Sequence, residues 1–268
     1  MKAMILAAGL GTRLRPLTDN RPKALVELSS RTLLEITLTR LRTFGVTEVI
    51  INVHHFAGQV IDYLKSKNNF GLRIEISRED DLLLDTGGGL KKAAWFFLED
   101  RASLDDPFLL HNVDVISTID LRAMLQFHTE NQALATLAVQ SRQSSRYLLF
   151  DNHNQLRSRR INNKDTVTSS ETRSLSSSSS LATHHSPLLQ SPEPSPLQPM
   201  AFSGIHILSP RLLPLLTEEG VFSIIPSYLR LTAQGQKILA FRADQYYWRD
   251  LGRPADLAQA ALDSQQNP

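Results

Sequence analysis

The sequence predicts an α/β fold in which a mostly parallel, mixed sheet lies between two layers of helices. Short apolar and β-branched segments alternate with amphipathic helical segments, which is typical of strand–helix–strand units. A glycine-containing loop directly follows the first strand segment. The chain has 268 residues, 41% of them hydrophobic, and is therefore long enough to bury one large core.

The first half of the chain supplies most of the predicted parallel strands. Lys2–Leu6 is a short apolar run before a glycine loop, which indicates a buried first strand. Glu48–Val53 (EVIINV) is continuous and β-branched, as in strands that are covered on both faces. The other elements predicted here are helices at Thr32–Thr43, Ala57–Lys65 and Gly89–Leu98, and strands at Leu72–Ser77 and Pro107–Val115.

The second half continues the pattern on either side of a break. The predicted elements are helices at Leu121–Glu130, Ile224–Ala233 and Pro254–Asp263, strands at Ala133–Gln140, Tyr147–Phe150, Ala201–Leu208 and Lys237–Arg242, and a short strand that ends near Trp248. Between them, Ser169–Met200 contains the serine run Ser176–Ser180 and five prolines, too little apolar surface to offset the entropy of ordering. We therefore expect a single domain over residues 1–268, with a flexible Ser/Pro-rich insertion at about 165–199. A lid that orders on substrate binding is the alternative for this insertion.

The composition excludes several classes of function. The net charge is +2, from 29 basic and 27 acidic residues, so we expect neither nucleic acid nor a membrane as a partner. The chain has no cysteine, which excludes disulfides, thiolate nucleophiles and zinc–thiolate sites and fits a cytoplasmic location. Arg13 and Arg15 closely follow the first apolar run, which favours a buried strand over a signal peptide.

The loop after the first strand, LAAGLGTRLRPLTDNRPKALVEL at residues 6–28, carries the first functional pattern. Glycine at positions 9 and 11 lets backbone N–H groups approach an anion closely. Gly11 is not followed by the Lys-Ser/Thr pair of a P-loop, and Leu14 stands where a dinucleotide fingerprint needs its third glycine. Arg13 and Lys23 would suit the oxygens of a polyphosphate, with a surface arginine paired to Asp19 as the alternative for Arg13.

The same stretch closely resembles the signature loop of the sugar-1-phosphate nucleotidyltransferases, L-A-A-G-x-G-T-R-[LM]-x-P-L-T-x-x-x-P-K-x-L. DTGGG at residues 85–89 resembles the E-T-G-G-G of N-acetylmuramate-1-phosphate uridylyltransferases and mannose-1-phosphate guanylyltransferase-like proteins. The resemblance implies a Rossmann-like, GT-A-like fold. It also implies transfer of a nucleotidyl group from a nucleoside triphosphate, UTP or GTP being favoured, to a sugar 1-phosphate with release of pyrophosphate. A non-catalytic protein that binds nucleotides or nucleotide-sugars is the alternative.

The resemblance also assigns residues to the nucleotide. It implies that Arg13 and Lys23 are the catalytic cations that contact the phosphates. The further nucleotide-binding residues that it implies are Ala7, Ala8, Gly9, Gly11, Thr12, Thr86, Gly87 and Gly88. For the second glycine segment, which we expect to be a loop before a helix, a plain flexible turn remains the alternative to base and ribose contacts.

Two aspartates are candidate metal ligands. Asp114 follows a buried apolar strand, where a carboxylate is costly unless it is paired or bound to a metal, and Asp250 lies in the segment WRDLG. Either could instead cap a helix or form an ion pair. The resemblance implies that the two together hold Mg²⁺, an ion that prefers carboxylate oxygens. Val113 stands where family members often have glycine.

The sequence gives the weakest indication for the residues that bind the acceptor, the sugar 1-phosphate. The family usually places a sugar-binding Glu or Asn and a phosphate-binding lysine before a strand with F-S-G-I. Here that strand motif is Phe202–Ile205, and the Ser/Pro-rich insertion precedes it. The candidate substrate residues are Asn52, from a segment that resembles the family's V-N-x-H, and Arg146 and Asn162. Arg159, Arg160 and Lys164 remain alternatives to Asn162.

Overall fold

A computed structural model describes residues 1–99, 106–162, 164–167 and 196–266. The strands are β1 (Lys2–Leu6), β2 (Glu27–Leu28), β3 (Arg31–Thr32), β4 (Glu48–Val53), β5 (Arg73–Arg78), β6 (Phe108–Asn112), β7 (Val115–Ser117), β8 (Ala135–Gln140), β9 (Arg146–Phe150), β10 (Leu156–Ile161), β11 (Lys164–Val167), β12 (Gln198–Leu208), β13 (Ile238–Arg242) and β14 (Trp248–Asp250). The helices are α1 (Leu33–Thr43), α2 (Ala57–Ser66), α3 (Asp85–Lys92), α4 (Ala94–Leu98), α5 (Leu121–Glu130), α6 (Ile224–Ala233) and α7 (Pro254–Gln266).

One mixed sheet organises the molecule. Its strands run in the order β11-β10-β9-β12-β6-β1-β4-β5, and β8 and β13 extend it beside β12. The neighbours β6, β1, β4 and β5 are all parallel, whereas β12 is antiparallel to β6, β8 and β9. Because β1, β4 and β6 run the same way, their carboxyl ends meet at one edge of the sheet.

Helices cover both faces of this sheet. In β1, Ala3 and Ile5 pack into a core with residues of α1, α2 and α5, while Met4 between them packs into the core formed with α3, α4 and α6. Alternate residues of a strand point to opposite faces, so a buried central strand must feed both cores. The predicted three-layer α/β/α fold is confirmed.

The DTGGG segment differs from its prediction. It is not a loop before a helix but the first turns of α3 itself. A Cβ added at Gly87 would lie 2.3 Å from the Phe222 ring, and one added at Gly88 would lie 2.4 Å from the carbonyl oxygen of Gly220. These glycines therefore serve close packing of α3 against the segment before α6, which the local sequence does not show.

Other strands also differ from their predicted bounds. The strand predicted at Pro107–Val115 is interrupted by a turn at Val113 and Asp114, so that it forms β6 and β7. The short strand placed before Trp248 instead begins there, as β14. The sequence did not predict β10 (LRSRRI) or β11, because their charged residues hide the strand pattern and pairing with β9 decides it.

The predicted insertion lies mostly outside the described residues. Its ends belong to regular structure, since β11 reaches Val167 and β12 starts at Gln198. Within the part of the chain that the structure describes, no helix is long and apolar enough to cross a membrane.

Candidate active site

A cavity of about 380 Å³ lies where the carboxyl ends of β1, β4 and β6 meet. Open α/β sheets bind their ligands at this edge. The cavity is lined by Leu6, Ala8, Gly9, Lys23, Asn52, Leu83, Asp85, Thr86, Asn112, Val113, Asp114 and Val221. Six residues that the sequence nominated for the site are therefore found together at one place.

The first loop presents its backbone towards this cavity. Gly11 has φ +65°, and a Cβ there would lie 2.9 Å from Thr18 Cγ2, so this position needs glycine for both conformation and space. Leu14 N–H and the Thr18 hydroxyl both donate to the Gly11 carbonyl, which fixes the turn. No acceptor within the described part of the chain takes a hydrogen bond from the N–H groups of residues 9–11. These N–H groups are therefore available to an anion.

Lys23 and Asp114 form an ion pair at the base of the cavity. The ammonium group of Lys23 donates to Asp114 Oδ2, and the two side chains are only 11% and 12% exposed. Lys23 follows Pro22 and opens a short 3-10 turn, which points its side chain inward. A buried carboxylate and a buried ammonium are costly alone, and their pairing offsets part of that cost.

Asp250 and Arg13 lie beside this pair. A Cβ on Gly252 would be 2.6 Å from both Arg13 Nη2 and Asp250 Oδ1, so the two charged groups converge over this glycine. Burial, and then the negative charge of Asp114, raise the pKa of Asp250, while the charges of Lys23 and Arg13 oppose that rise. The four groups therefore form one electrostatic cluster.

Strand pairing and packing bring these distant segments together. Asp250 of β14 is paired in register with Val115 of β7, and Leu251 N–H donates to the Asp114 carbonyl at 2.7 Å. Leu14, next to Arg13, packs in the same hydrophobic cluster as Leu251, next to Asp250. The surface arginine that pairs with Asp19 is Arg15, at 3.4 Å, which removes the alternative considered for Arg13.

The two carboxylates fit a magnesium ion. Searched over the described residues, the molecule has no group of three His, Cys, Asp or Glu side chains that could hold a metal alone. Mg²⁺ is usually bound by one or two protein carboxylates together with substrate phosphates, which is the donor set that Asp114 and Asp250 offer. Val113, which stands where family members often have glycine, lines the cavity next to Asp114.

Asn52 supports the first loop through hydrogen bonds of its side-chain amide. Its Oδ1 accepts from Ala7 N–H at 2.7 Å, and its Nδ2 donates to Glu79 Oε1 at 2.7 Å. Glu79 is itself buried and accepts from Leu84 N–H at 2.8 Å. Asn52 thus ties the first loop to the segment before α3, and substrate contact by its amide stays a prediction.

The three residues of the DTGGG segment that were predicted to bind the nucleotide differ in their surroundings. Thr86 lines the cavity, and its Oγ1 accepts from Ile224 N–H at 3.0 Å. The N–H groups of Gly87 and Gly88 both donate to the Phe222 carbonyl, at 2.9 and 3.2 Å. Nucleotide contacts from these two glycines, like that from the exposed Thr12, stay predictions.

The two remaining substrate candidates lie elsewhere. Arg146 and Asn162 are exposed at neighbouring ends of β9 and β10, and neither lines the cavity. Sequence reasoning missed Asp85, the first residue of the DTGGG segment, which lines the cavity, and Glu79, six residues before it, which holds Asn52.

Comparison with known proteins defines the class. A family model described as nucleotidyl transferase matches residues 2–267, and the chain belongs to this family. The predicted family is thereby confirmed. The N-acetylmuramate alpha-1-phosphate uridylyltransferase of Caulobacter vibrioides is 30% identical over 254 residues, which cover 94% of this chain and 92% of that protein.

Other relatives match over shorter regions. The probable mannose-1-phosphate guanylyltransferase 1 of Oryza sativa subsp. japonica is 35% identical over 52% of this chain, which spans 38% of that protein. This chain spans 36% and 52% of the length of two further curated relatives. A putative glucose-1-phosphate thymidylyltransferase from Bacillus anthracis has a similar structure, with a TM-score of 0.73 at 17% identity, covering all of this chain and 96% of the other. That likeness supports the fold.

Proposed function

We propose that this protein transfers a nucleotidyl group from a nucleoside triphosphate to a sugar 1-phosphate, giving a nucleotide-sugar and pyrophosphate. The observation that carries the proposal is the convergence of Arg13, Lys23, Asp114 and Asp250 beside one cavity at the carboxyl ends of the parallel strands. The names of the uridylyl- and guanylyltransferase relatives support UTP or GTP as the donor. We further propose that residues 1–268 act as one domain, in the cytoplasm.

The mechanism follows from where these charges lie. The N–H groups of the first loop would bind triphosphate oxygens, and Arg13 and Lys23 would offset the charge that grows on the departing pyrophosphate. Asp114 and Asp250 would hold Mg²⁺, which would neutralise phosphate charge. The acceptor phosphate is already ionised at neutral pH, so no general base is needed, and catalysis consists of positioning and charge stabilisation.

A binding protein without catalysis is the competing proposal. Such a protein would have no need for a buried lysine and two carboxylates at one point. The deciding experiment crosses four nucleoside triphosphates with a panel of sugar 1-phosphates, with Mg²⁺ present, and measures pyrophosphate release. Turnover for one combination supports the enzyme. Triphosphate binding that is unchanged by Mg²⁺ and by Asp114→Ala, with no turnover in any combination, supports the binding protein.

A further inference from the structure

Arg142, in the loop between β8 and β9, has no role in the site described above. Its guanidinium carbon lies 3.7 Å from the centre of the Trp248 ring, and its Nη2 donates to the Phe202 carbonyl at 2.8 Å. The indole is itself fixed, because Trp248 Nε1 donates to the Ser203 carbonyl at 2.7 Å. Arg142 is therefore held on a rigid aromatic platform.

Arg142 forms no ion pair within the described residues. Its Nε is buried without a hydrogen-bond partner, and no carboxylate among the residues that the structure describes lies within ion-pair distance. Burial lowers the pKa of Arg142, although a guanidinium remains charged at any physiological pH. A partly buried cation without an ion-pair partner is costly unless an anion comes to it.

Arg142 also has a particular place relative to the catalytic cluster. Trp248 and Asp250 alternate along β14, so their side chains share a face, and Arg142 interacts electrostatically with Asp250. The first loop follows β1, whereas Arg142 follows β8, which is separated from β1 by β6 and β12. Arg142 thus contacts the β12 side of the sheet, whereas the triphosphate loop follows β1.

We propose that Arg142 binds the phosphate group of the acceptor sugar 1-phosphate. The inference rests on the proposed function. In-line displacement requires the attacking oxygen to lie opposite the leaving pyrophosphate, and Arg13 and Lys23 occupy the triphosphate side. An acceptor phosphate oxygen forms the new bond to the α-phosphorus while the bond to the bridging oxygen breaks. The electron pair leaves with pyrophosphate, and no proton moves.

Steady-state kinetics with the substrate pair found in the panel provide the main test. We expect Arg142→Gln to raise KM for the sugar 1-phosphate roughly tenfold to a hundredfold, the value of one charge-assisted contact, with KM for the triphosphate within about twofold. For Arg142→Lys we expect a KM for the sugar 1-phosphate between those of the wild type and Arg142→Gln, because lysine keeps the charge but lacks the planar guanidinium. Arg31→Gln is the matched control, an exposed arginine paired with Glu35.

Two results would overturn the inference. A purely structural arginine would change both KM values together and lower the melting temperature in both Arg142 variants. An acceptor KM that rises with Arg146→Gln and not with Arg142→Gln would assign the phosphate to the exposed arginine instead.

A binding measurement separates this inference from the proposed function. The chain has two tryptophans, so in a Trp95→Phe background Trp248 is the only fluorophore of its type. Inorganic phosphate should change its fluorescence, and Arg142→Gln should abolish that change, even if no substrate pair is turned over. The inference fails if phosphate leaves the signal unchanged, or changes it equally in the variant.

Discussion

The triphosphate side of the site and the side that we propose for the acceptor are built in different ways. The triphosphate side takes its two cations from one stretch of chain, residues 6–28, whose turns are closed by local hydrogen bonds. The side that we propose for the acceptor is assembled from distant segments, since Arg142 contacts a carbonyl 60 residues away and Trp248 one 45 residues away. A ligand site in one contiguous loop is visible in a sequence, and a site assembled by packing is not.

The two sides also differ in charge balance. Lys23 has its own counter-ion in Asp114, whereas Arg142 has none among the described residues. The triphosphate side is therefore neutralised in the free protein, and a ligand must compete for Lys23. The acceptor side keeps a cation ready for an anion. The substitutions and the change of pH described next test this contrast and the stability of the fold that carries both sides.

The largest effect is expected for Asp114→Asn, which removes one carboxylate from the proposed metal site and the charge that Lys23 pairs with. Turnover should fall on the order of a thousandfold, because metal and charge stabilisation are worth several kcal/mol. Pyrophosphate release measures the effect, and circular dichroism checks that the fold persists. Asp19→Asn, at an exposed pair, should change turnover by less than about twofold. A variant with more than about a tenth of the normal turnover would contradict the role of Asp114.

Arg13→Gln should reduce kcat/KM for the triphosphate roughly a hundredfold, the usual effect of losing one transition-state donor. Arg15→Gln is its matched partner, two residues along the same loop. Because Arg15 is exposed and paired with Asp19, its replacement should stay within about threefold of the wild type. Equal losses in the two variants would show that the loop acts through net charge rather than through a positioned guanidinium.

Gly252→Ala should reduce turnover about tenfold, a barrier increase of about 1.4 kcal/mol, with little change in stability. The added Cβ would lie 2.6 Å from Arg13 Nη2 and from Asp250 Oδ1, so both groups must shift. Gly58→Ala is the control, because a Cβ there meets nothing within 4 Å and alanine favours the helix α2. Undiminished turnover in Gly252→Ala would indicate that this convergence is not needed.

The smallest expected effect at neutral pH is on the stability of the fold that carries both sides of the site. Burial lowers the pKa of His206 to about 3 and that of His128 to about 4, from an ordinary 6.5. Below pH 6.5 the unfolded chain therefore binds protons that the folded protein does not. The free energy of unfolding should fall by up to about 1.4 kcal/mol per pH unit for each group as the pH drops towards these values.

Urea unfolding at pH 7 and pH 5 measures this loss. His128→Gln removes one of these groups and should make stability less dependent on pH. His153→Gln, at an exposed position, should leave that dependence unchanged. A protein that is equally stable at both pH values would show that the buried histidines are not held neutral.

Much of the fold was predictable because its central strands are continuous apolar runs, as in Glu48–Val53. The helix α3 was misplaced because three consecutive glycines normally indicate a turn. Gly87 and Gly88 instead allow contact with Phe222 and Gly220, more than 130 residues later in the chain, and a Cβ at Gly89 would lie 2.9 Å from Asn52 and Glu79. In the candidate site, the joint metal role of Asp114 and Asp250 could be predicted only through resemblance, since a lone aspartate after a strand has many possible roles.

The sequence alone determined the first loop, because glycine conformation, proline stiffness and the spacing of Arg13 and Lys23 act within a few residues of each other. Only the tertiary structure decided which other groups meet that loop. Pairing of β14 with β7 and the hydrophobic cluster that holds Leu14 and Leu251 bring Asp250 to Asp114, and Trp248, on which Arg142 stacks, lies on the same strand as Asp250. Such contacts depend on the relative placement of whole strands, which no local pattern records.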